Sequence, residues 1–97
     1  MSLNTISAPL FPLGQVVMTQ GINSKLDASN HGVFSTLLIL HSRGDWGNVC
    51  DEDKAANDEA VNSGRRLMSA YMFDGIIIWI ITEADRRVTT ILLPSEY

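Results

Sequence analysis

The sequence has little of what covalent cross-links, metal clusters or membrane spans require. Its 97 residues include one cysteine, Cys50, which can form no disulfide within the chain and no cysteine cluster for a metal ion. Its apolar runs are far shorter than the roughly 20 residues of a membrane-spanning helix, and no charged-then-apolar leader is seen. These absences predict a cytoplasmic protein outside the membrane.

Basic residues are fewer than acidic ones, 7 against 11, which gives a formal net charge of −4 that is unevenly distributed. Residues 1–44 carry +1, residues 45–64 carry six acids against Lys54, and residues 65–97 carry four charges of each sign. Without a basic stripe to follow a phosphate backbone, we expect no direct nucleic-acid binding. The acidic segment 51–59 has the charge for mimicry of that backbone, but acids on one helix are more commonly a solvated surface.

The length of the chain and its apolar content predict one domain over residues 1–97, with a modest core. Pro9 and Pro12 mark residues 1–12 as an extended N-terminal arm. The strongest local signal is Asp74-Gly75 between two apolar runs, which predicts a two-residue type I′ hairpin turn. That turn would set three opposed pairs: Met72–Ile77, Tyr71–Ile78 and Ala70–Trp79.

Strand and helix signals alternate along the rest of the chain. Ile76–Ile81 is predicted as a central strand, and Val88–Leu93 as a third strand that Pro94 ends. Leu13–Thr19 is predicted as a first strand, and residues 20–29 as a short helix or irregular connection.

Two helices are predicted between the first strand and the hairpin. The first begins at an Asn30 cap, has apolar residues at helical spacing through His41, and ends at Arg43-Gly44. The second covers residues 51–62 and is ended by Ser63-Gly64, with acids in its first turn, where the helix dipole favours them. The predicted fold is α+β, with an antiparallel sheet of about four strands, a C-terminal three-stranded meander and two helices on one face. The place of the first strand in the sheet stays open.

Several motifs resemble a family of small uncharacterised bacterial proteins found on plasmids, phages and other mobile elements. The matching segments are Gly44–Gly47, Glu52-Asp53 with Asn57, Arg66–Tyr71, Trp79–Asp85 and Thr89–Tyr97. The resemblance covers the C-terminal half well and the N-terminal half loosely. It implies a shared fold and a mobile genetic setting, and it implies no activity.

An enzymatic reading would use His41, Asp45 and Glu83, with Asp85, as an acid/base or metal constellation in a small hydrolase or nuclease. The structural reading is favoured, with Asp45 bonding amides of its own glycine turn and His41 bonding carbonyls at its helix end. No signature of a nucleotide, metal or cofactor site is present, so no cofactor is predicted. Ser69 and Cys50 are nucleophile types without a base beside them in sequence.

A binding site is predicted where two loops come together. Trp46 is either a plug beneath its glycine loop, the favoured reading, or an exposed anchor for a partner. The turn at residues 83–87 carries four charged residues: Glu83, Asp85, Arg86 and Arg87. We expect the loops to meet, with Asp45 or Trp46 near Arg86 or Arg87.

Assembly follows from the apolar central strand. Ile76–Ile81 offers apolar side chains to both faces of the sheet, and the predicted helices cover only one. The second face would then be covered by the arm or by another subunit. The sequence therefore predicts a protein–protein interaction module that forms a homodimer and binds a protein partner.

Overall fold

The computed structural model describes residues 9–25 and 31–97, with only the backbone of His31. The predicted Asn30 cap, residues 1–8 of the arm and residues 26–29 lie outside this range. Among the described helices, none has the length and apolar content needed to cross a membrane.

The architecture is α+β, as predicted. Its elements are β1 (Gln15–Met18), α1 (Gln20–Asn23), α2 (His31–Ser42), α3 (Asp51–Ser63), β2 (Leu67–Phe73), β3 (Ile76–Thr82), β4 (Val88–Leu92) and a 3₁₀ turn (Pro94–Glu96). The two predicted helices are α2 and α3, and the predicted meander is β2–β4. The connection after β1 contains the four-residue helix α1.

The four strands form one sheet in the order β1-β4-β3-β2. Strands β2, β3 and β4 are antiparallel neighbours, whereas β1 runs parallel to β4. The expected antiparallel sheet is therefore mixed. A parallel pair needs a long connection between its strands, and here the helices and the β2–β3 hairpin all lie between β1 and β4.

The β2–β3 hairpin has the predicted turn and register. Asp74 and Gly75 have φ of 53° and 75°, the left-handed values that a type I′ turn needs. Met72 lies opposite Ile77, Tyr71 opposite Ile78 and Ala70 opposite Trp79. The chemistry of this turn alone sets which side chains share a face.

Helices α2 and α3 pack on one face of the sheet, which we call the inner face. One core cluster joins Phe34 and Leu37 of α2 to inner-face residues such as Ile78 and Ile80. A second cluster has four buried members: Phe11, Trp46, Ala60 and Leu67. Phe11 belongs to the predicted arm, so the described end of the arm packs on the helical side.

The C-terminal turn joins the end of the chain to the segment after β1. The Glu96 carboxylate accepts hydrogen bonds from Thr19 Oγ1 at 2.5 Å, the Gly21 amide at 2.9 Å and the Leu93 amide at 3.0 Å. The bond from Thr19 is the main cause that lowers the Glu96 pKa. This carboxylate ties the 3₁₀ turn to the start of α1.

Candidate functional site

Trp46 fills the core beneath the loop between α2 and α3, which we call the Trp46 loop (residues 44–49). Its side chain is 3% exposed, and its ring stacks on Phe11 with 6.2 Å between centroids. Its indole Nε1–H donates to Asp58 Oδ1 at 2.8 Å. Because a buried indole N–H needs an acceptor, Asp58 completes this packing. The favoured prediction of a plug is confirmed.

The Trp46 loop is held against the outer edge of β2. The Asp45 carboxylate accepts from the Gly47 amide at 2.9 Å, the predicted bond within the turn. Gly47 has φ +73°, and a Cβ there would lie 2.1 Å from the Ala70 carbonyl oxygen. The Tyr71 hydroxyl donates to the Asp45 carbonyl, and burial raises the Tyr71 pKa to about 12. Only glycine at position 47 permits this close pairing.

Arg86 is the organising residue of the turn at residues 83–87, which we call the Arg86 turn. Its guanidinium donates to the carbonyl oxygens of Arg65 at 2.6 Å, Ala60 at 2.9 Å and Glu83 at 3.1 Å. It also lies over the Phe11 ring, 5.6 Å from the centroid. The side chain therefore joins the turn to the end of α3 and to the second core cluster.

Phe11 contacts a residue of each loop, the Arg86 guanidinium at 5.6 Å and the Trp46 ring at 6.2 Å from its centroid. Of the residues expected near each other, Trp46 and Arg86 both contact Phe11, whereas Asp45 and Arg87 bond within their own turns. Asp45 bonds Gly47, Arg86 bonds carbonyls, and Arg87 lies 3.9 Å from Asp85 in an exposed ion pair. Glu83 and Asp85 are exposed, whereas Trp46 is buried. The six predicted binding residues therefore form no single exposed surface.

His41 lies in the core and does not bond the carbonyls at the end of α2, so that prediction is wrong. Its Nδ1 is 2.5 Å from Ser69 Oγ on β2, and its Nε2 is 2.9 Å from Thr82 Oγ1 on β3. Thr82 Oγ1 is 2.7 Å from Thr89 Oγ1, which donates to the Leu13 carbonyl at 2.6 Å. A hydrogen-bonded chain therefore crosses the inner face from β2 to the segment before β1.

This chain of donors assigns the His41 tautomer. Thr89 uses its one proton on Leu13, so its oxygen accepts from Thr82, and Thr82 accepts from His41 Nε2–H. His41 Nδ1 then accepts from the Ser69 hydroxyl. Burial, and after it the positive charge of Arg86, lowers the pKa of His41 to about 4. The ring is therefore neutral at physiological pH.

The structure does not join His41, Asp45 and Glu83 in the common site that the enzymatic prediction requires. Both nitrogens of His41 are bonded to Ser69 and Thr82 rather than to Asp45 or Glu83. Within residues 9–25 and 31–97, no three His, Cys, Asp or Glu side chains gather as a metal site. Ser69 does have a base beside it, which sequence reasoning missed because 28 residues separate it from His41. Both side chains are completely buried, so their contact supports the fold.

The sheet face opposite the helices, the outer face, carries exposed apolar side chains. Met72 is 59% exposed and Ile77 46% exposed, and the two lie directly opposite each other. Next to them Trp79 is half-buried beneath the Tyr97 ring, 5.6 Å away between centroids. We call these four residues the outer patch. The hairpin register predicted from Asp74-Gly75 already placed Met72 and Ile77 side by side, but not which face the helices would cover.

Comparison with known proteins finds no matching family model, curated protein or solved structure. The resemblance of Gly44–Gly47 and Trp79–Asp85 to mobile-element proteins therefore stays a prediction. The geometry accounts for part of that motif, because Trp46 and Asn48, on either side of Gly47, bond the edge of β2, and so does the Asn57 side chain.

Proposed function

We propose that this chain is a protein–protein interaction module of a mobile element, working in the cytoplasm as a homodimer, and that the outer patch is its contact surface for a protein partner. The observation that supports this is the exposed cross-strand pair of Met72 and Ile77 on the face opposite α2 and α3. Large apolar side chains that neighbour each other on a surface are typical of binding sites.

The composition of the outer patch favours a protein partner. Met, Trp and Tyr are enriched where proteins bind each other, and the patch contains one of each. Arg66 borders it, donating to the Tyr97 hydroxyl at 2.5 Å, with its guanidinium 5.3 Å from the ring centroid. A patch of apolar side chains with a polar border suits a partner of matching apolar surface. Nucleic acid is disfavoured because the patch itself carries no cation.

Site-specific photo-crosslinking in the producing cell tests this proposal. A photoreactive amino acid replaces Met72 in one protein and Ile39, an exposed apolar residue of α2, in the control. We expect discrete protein adducts from position 72 that are absent from position 39. Adding Ile77→Lys should abolish those adducts without changing the melting temperature, because Ile77 is already exposed. Equal adduct patterns from the two positions, or adducts that survive Ile77→Lys, would reject the outer patch.

A further inference from the structure

The two edge strands of the sheet, β2 and β1, differ in whether their outward backbone groups have hydrogen-bond partners. At the β2 edge, the Asn57 side chain accepts from the Met68 amide at 3.2 Å and donates to the Met68 carbonyl at 2.8 Å. Two residues along, Ala70 donates to the Trp46 carbonyl at 3.1 Å and accepts from the Asn48 amide at 2.6 Å. The chain's own loop and helix thus occupy the outward backbone groups of Met68 and Ala70, which protects this part of the β2 edge.

The β1 edge has no such cover within the described part of the chain. The amides of Gln15 and Thr19 donate inward, to the Arg87 carbonyl at 2.8 Å and the Ile91 carbonyl at 3.0 Å. Since alternate residues of a strand point their backbone groups to opposite sides, those of Val16 and Met18 point away from β4. In residues 9–25 and 31–97, β1 pairs with β4 alone.

The side chains of this edge do nothing to repel another strand. Proteins usually protect an open edge with a charge, a proline or a bulge. The segment from Gln15 to Thr19 contains no charge and no proline, and Val16 and Val17 are 38% and 40% exposed. An uncharged strand meets its own copy without repulsion.

We infer that β1 pairs antiparallel with β1 of a second copy, about a twofold axis at Val17. This inference rests on the proposed function, for which it specifies how the homodimer forms. In this register Val16 faces Met18 of the other copy, and each pair exchanges amide and carbonyl bonds. Thr19 continues the extended conformation, with φ −71° and ψ 166°. The extended segment 15–19 is therefore centred on Val17, so the twofold pairing uses all of it.

The paired sheets form one continuous sheet with a single outer face. A twofold axis that relates antiparallel neighbours runs perpendicular to the sheet, so both copies turn the same face to the same side. The helices of both copies then lie together on the inner side. The two outer patches lie on the other side, where both stay open to the protein partner.

The variant Val16→Pro tests the edge directly. It removes the outward amide of Val16 and keeps the inward bonds of Gln15 and Thr19, since proline is tolerated where the missing N–H faces away from the sheet. We expect the wild type to sediment at micromolar concentration as a dimer and Val16→Pro as a monomer with the melting temperature of the dilute wild type. The control Ile77→Lys should remain dimeric.

Amide hydrogen exchange on the wild type supplies a readout that does not depend on any variant folding. The Val16 and Met18 amides should become protected as concentration rises, while the Gln15 amide, bonded within each copy, should not change. Either of two results overturns the edge pairing. One is a Val16→Pro variant that is still a dimer, and the other is hydrogen exchange of the Val16 and Met18 amides that does not change with concentration. Neither result alters the crosslinks from position 72, so the outer patch is judged separately. A wild type monomeric at micromolar concentration overturns the edge pairing and the homodimer together.

Discussion

At the scale of single residues, His41 has a polar ring in a position that helical spacing assigns to the core. Its burial is possible because Ser69 and Thr82 satisfy both ring nitrogens. A buried polar group costs stability unless it is paired, so the neutral ring is stable only as part of the complete chain of bonds. Because of these hydrogen bonds, the stability of the fold depends on the protonation state of His41.

Stability should fall as the pH drops from about 6.5 to about 4. The folded-state pKa of His41 is about 4, below the unfolded value of about 6.5. The unfolded chain therefore binds the proton first, and the full stability is present only above the unfolded value. At and below the lower limit the loss should approach roughly 3 kcal/mol. Urea denaturation across this range should give a steeper fall for the wild type than for His41→Gln. If the stability of the two proteins fell equally with pH, the lowered pKa of His41 in the folded state would be contradicted.

Arg86 is a second residue whose role is decided by its partners. Its guanidinium reaches three carbonyl oxygens and one aromatic ring. Lysine cannot reproduce a fork of donors in one plane. We therefore regard Arg86 as a structural residue and not as part of a binding surface.

Replacing Arg86 should destabilise the fold. Hydrogen bonds from a charged group contribute about 1.5–3 kcal/mol each, but shared bonds are not additive, so Arg86→Lys should cost about 2 kcal/mol. The matched control is Arg87→Ala, because Arg87 has only an exposed ion pair at 3.9 Å. Its effect should be at most about 1 kcal/mol. Denaturant midpoints measure both. Equal small effects would mean that the carbonyl contacts contribute nothing.

At the scale of elements, the β2–β3 hairpin is specified by two residues. Asp74 and Gly75 both have positive φ, and space around Gly75 is open, with nothing within 4 Å of an added Cβ. The requirement for glycine there is thus one of backbone conformation alone.

Gly75→Val should raise the free energy of the turn by about 1–3 kcal/mol, because a β-branched residue is strained at positive φ. Gly75→Asn is the matched control, since asparagine tolerates this region, and its loss should be much smaller. Thermal melts of the three proteins separate backbone strain from side-chain bulk. Equal melting temperatures for Val and Asn would show that the turn does not need positive φ.

In the molecule as a whole, the segment around β1 is joined to the segment that follows β4. β1 lies beside β4, and Glu96 after β4 bonds Thr19 and Gly21 after β1. The C-terminal turn also places Tyr97 on the ring of Trp79. One short segment thus holds the β1 edge in place and completes the outer patch.

Glu96→Ala should loosen this junction without unfolding the meander. The Gly21 amide loses its acceptor, so its hydrogen exchange should accelerate, while amides in the middle of β3 keep their protection. Glu59 is an exposed acid on α3, so Glu59→Ala serves as the control. It should leave the exchange of the Gly21 amide and of the β3 amides unchanged. Unchanged Gly21 exchange in Glu96→Ala would contradict the role of this carboxylate.

Features that depend on neighbouring residues could be predicted from the sequence. The Asp74-Gly75 turn, the hairpin register and the end of α3 at Gly64 follow from backbone preferences within a few positions. These signals are readable because the interactions that cause them are local.

Contacts between distant segments could not be predicted from the sequence and became visible in the folded chain. His41 meets Ser69 and Thr82 across 28 and 41 residues, and Arg86 bonds the carbonyl of Ala60 instead of the carboxylate of Asp45. Backbone carbonyls accept bonds whatever the residue type, so the sequence carries no mark of which ones Arg86 finds. Likewise, the parallel place of β1 beside β4 depends on the path of the whole connection, including the helices that cover the inner face. Within residues 9–25 and 31–97, that path leaves Met72 and Ile77 exposed and pairs β1 with β4 alone.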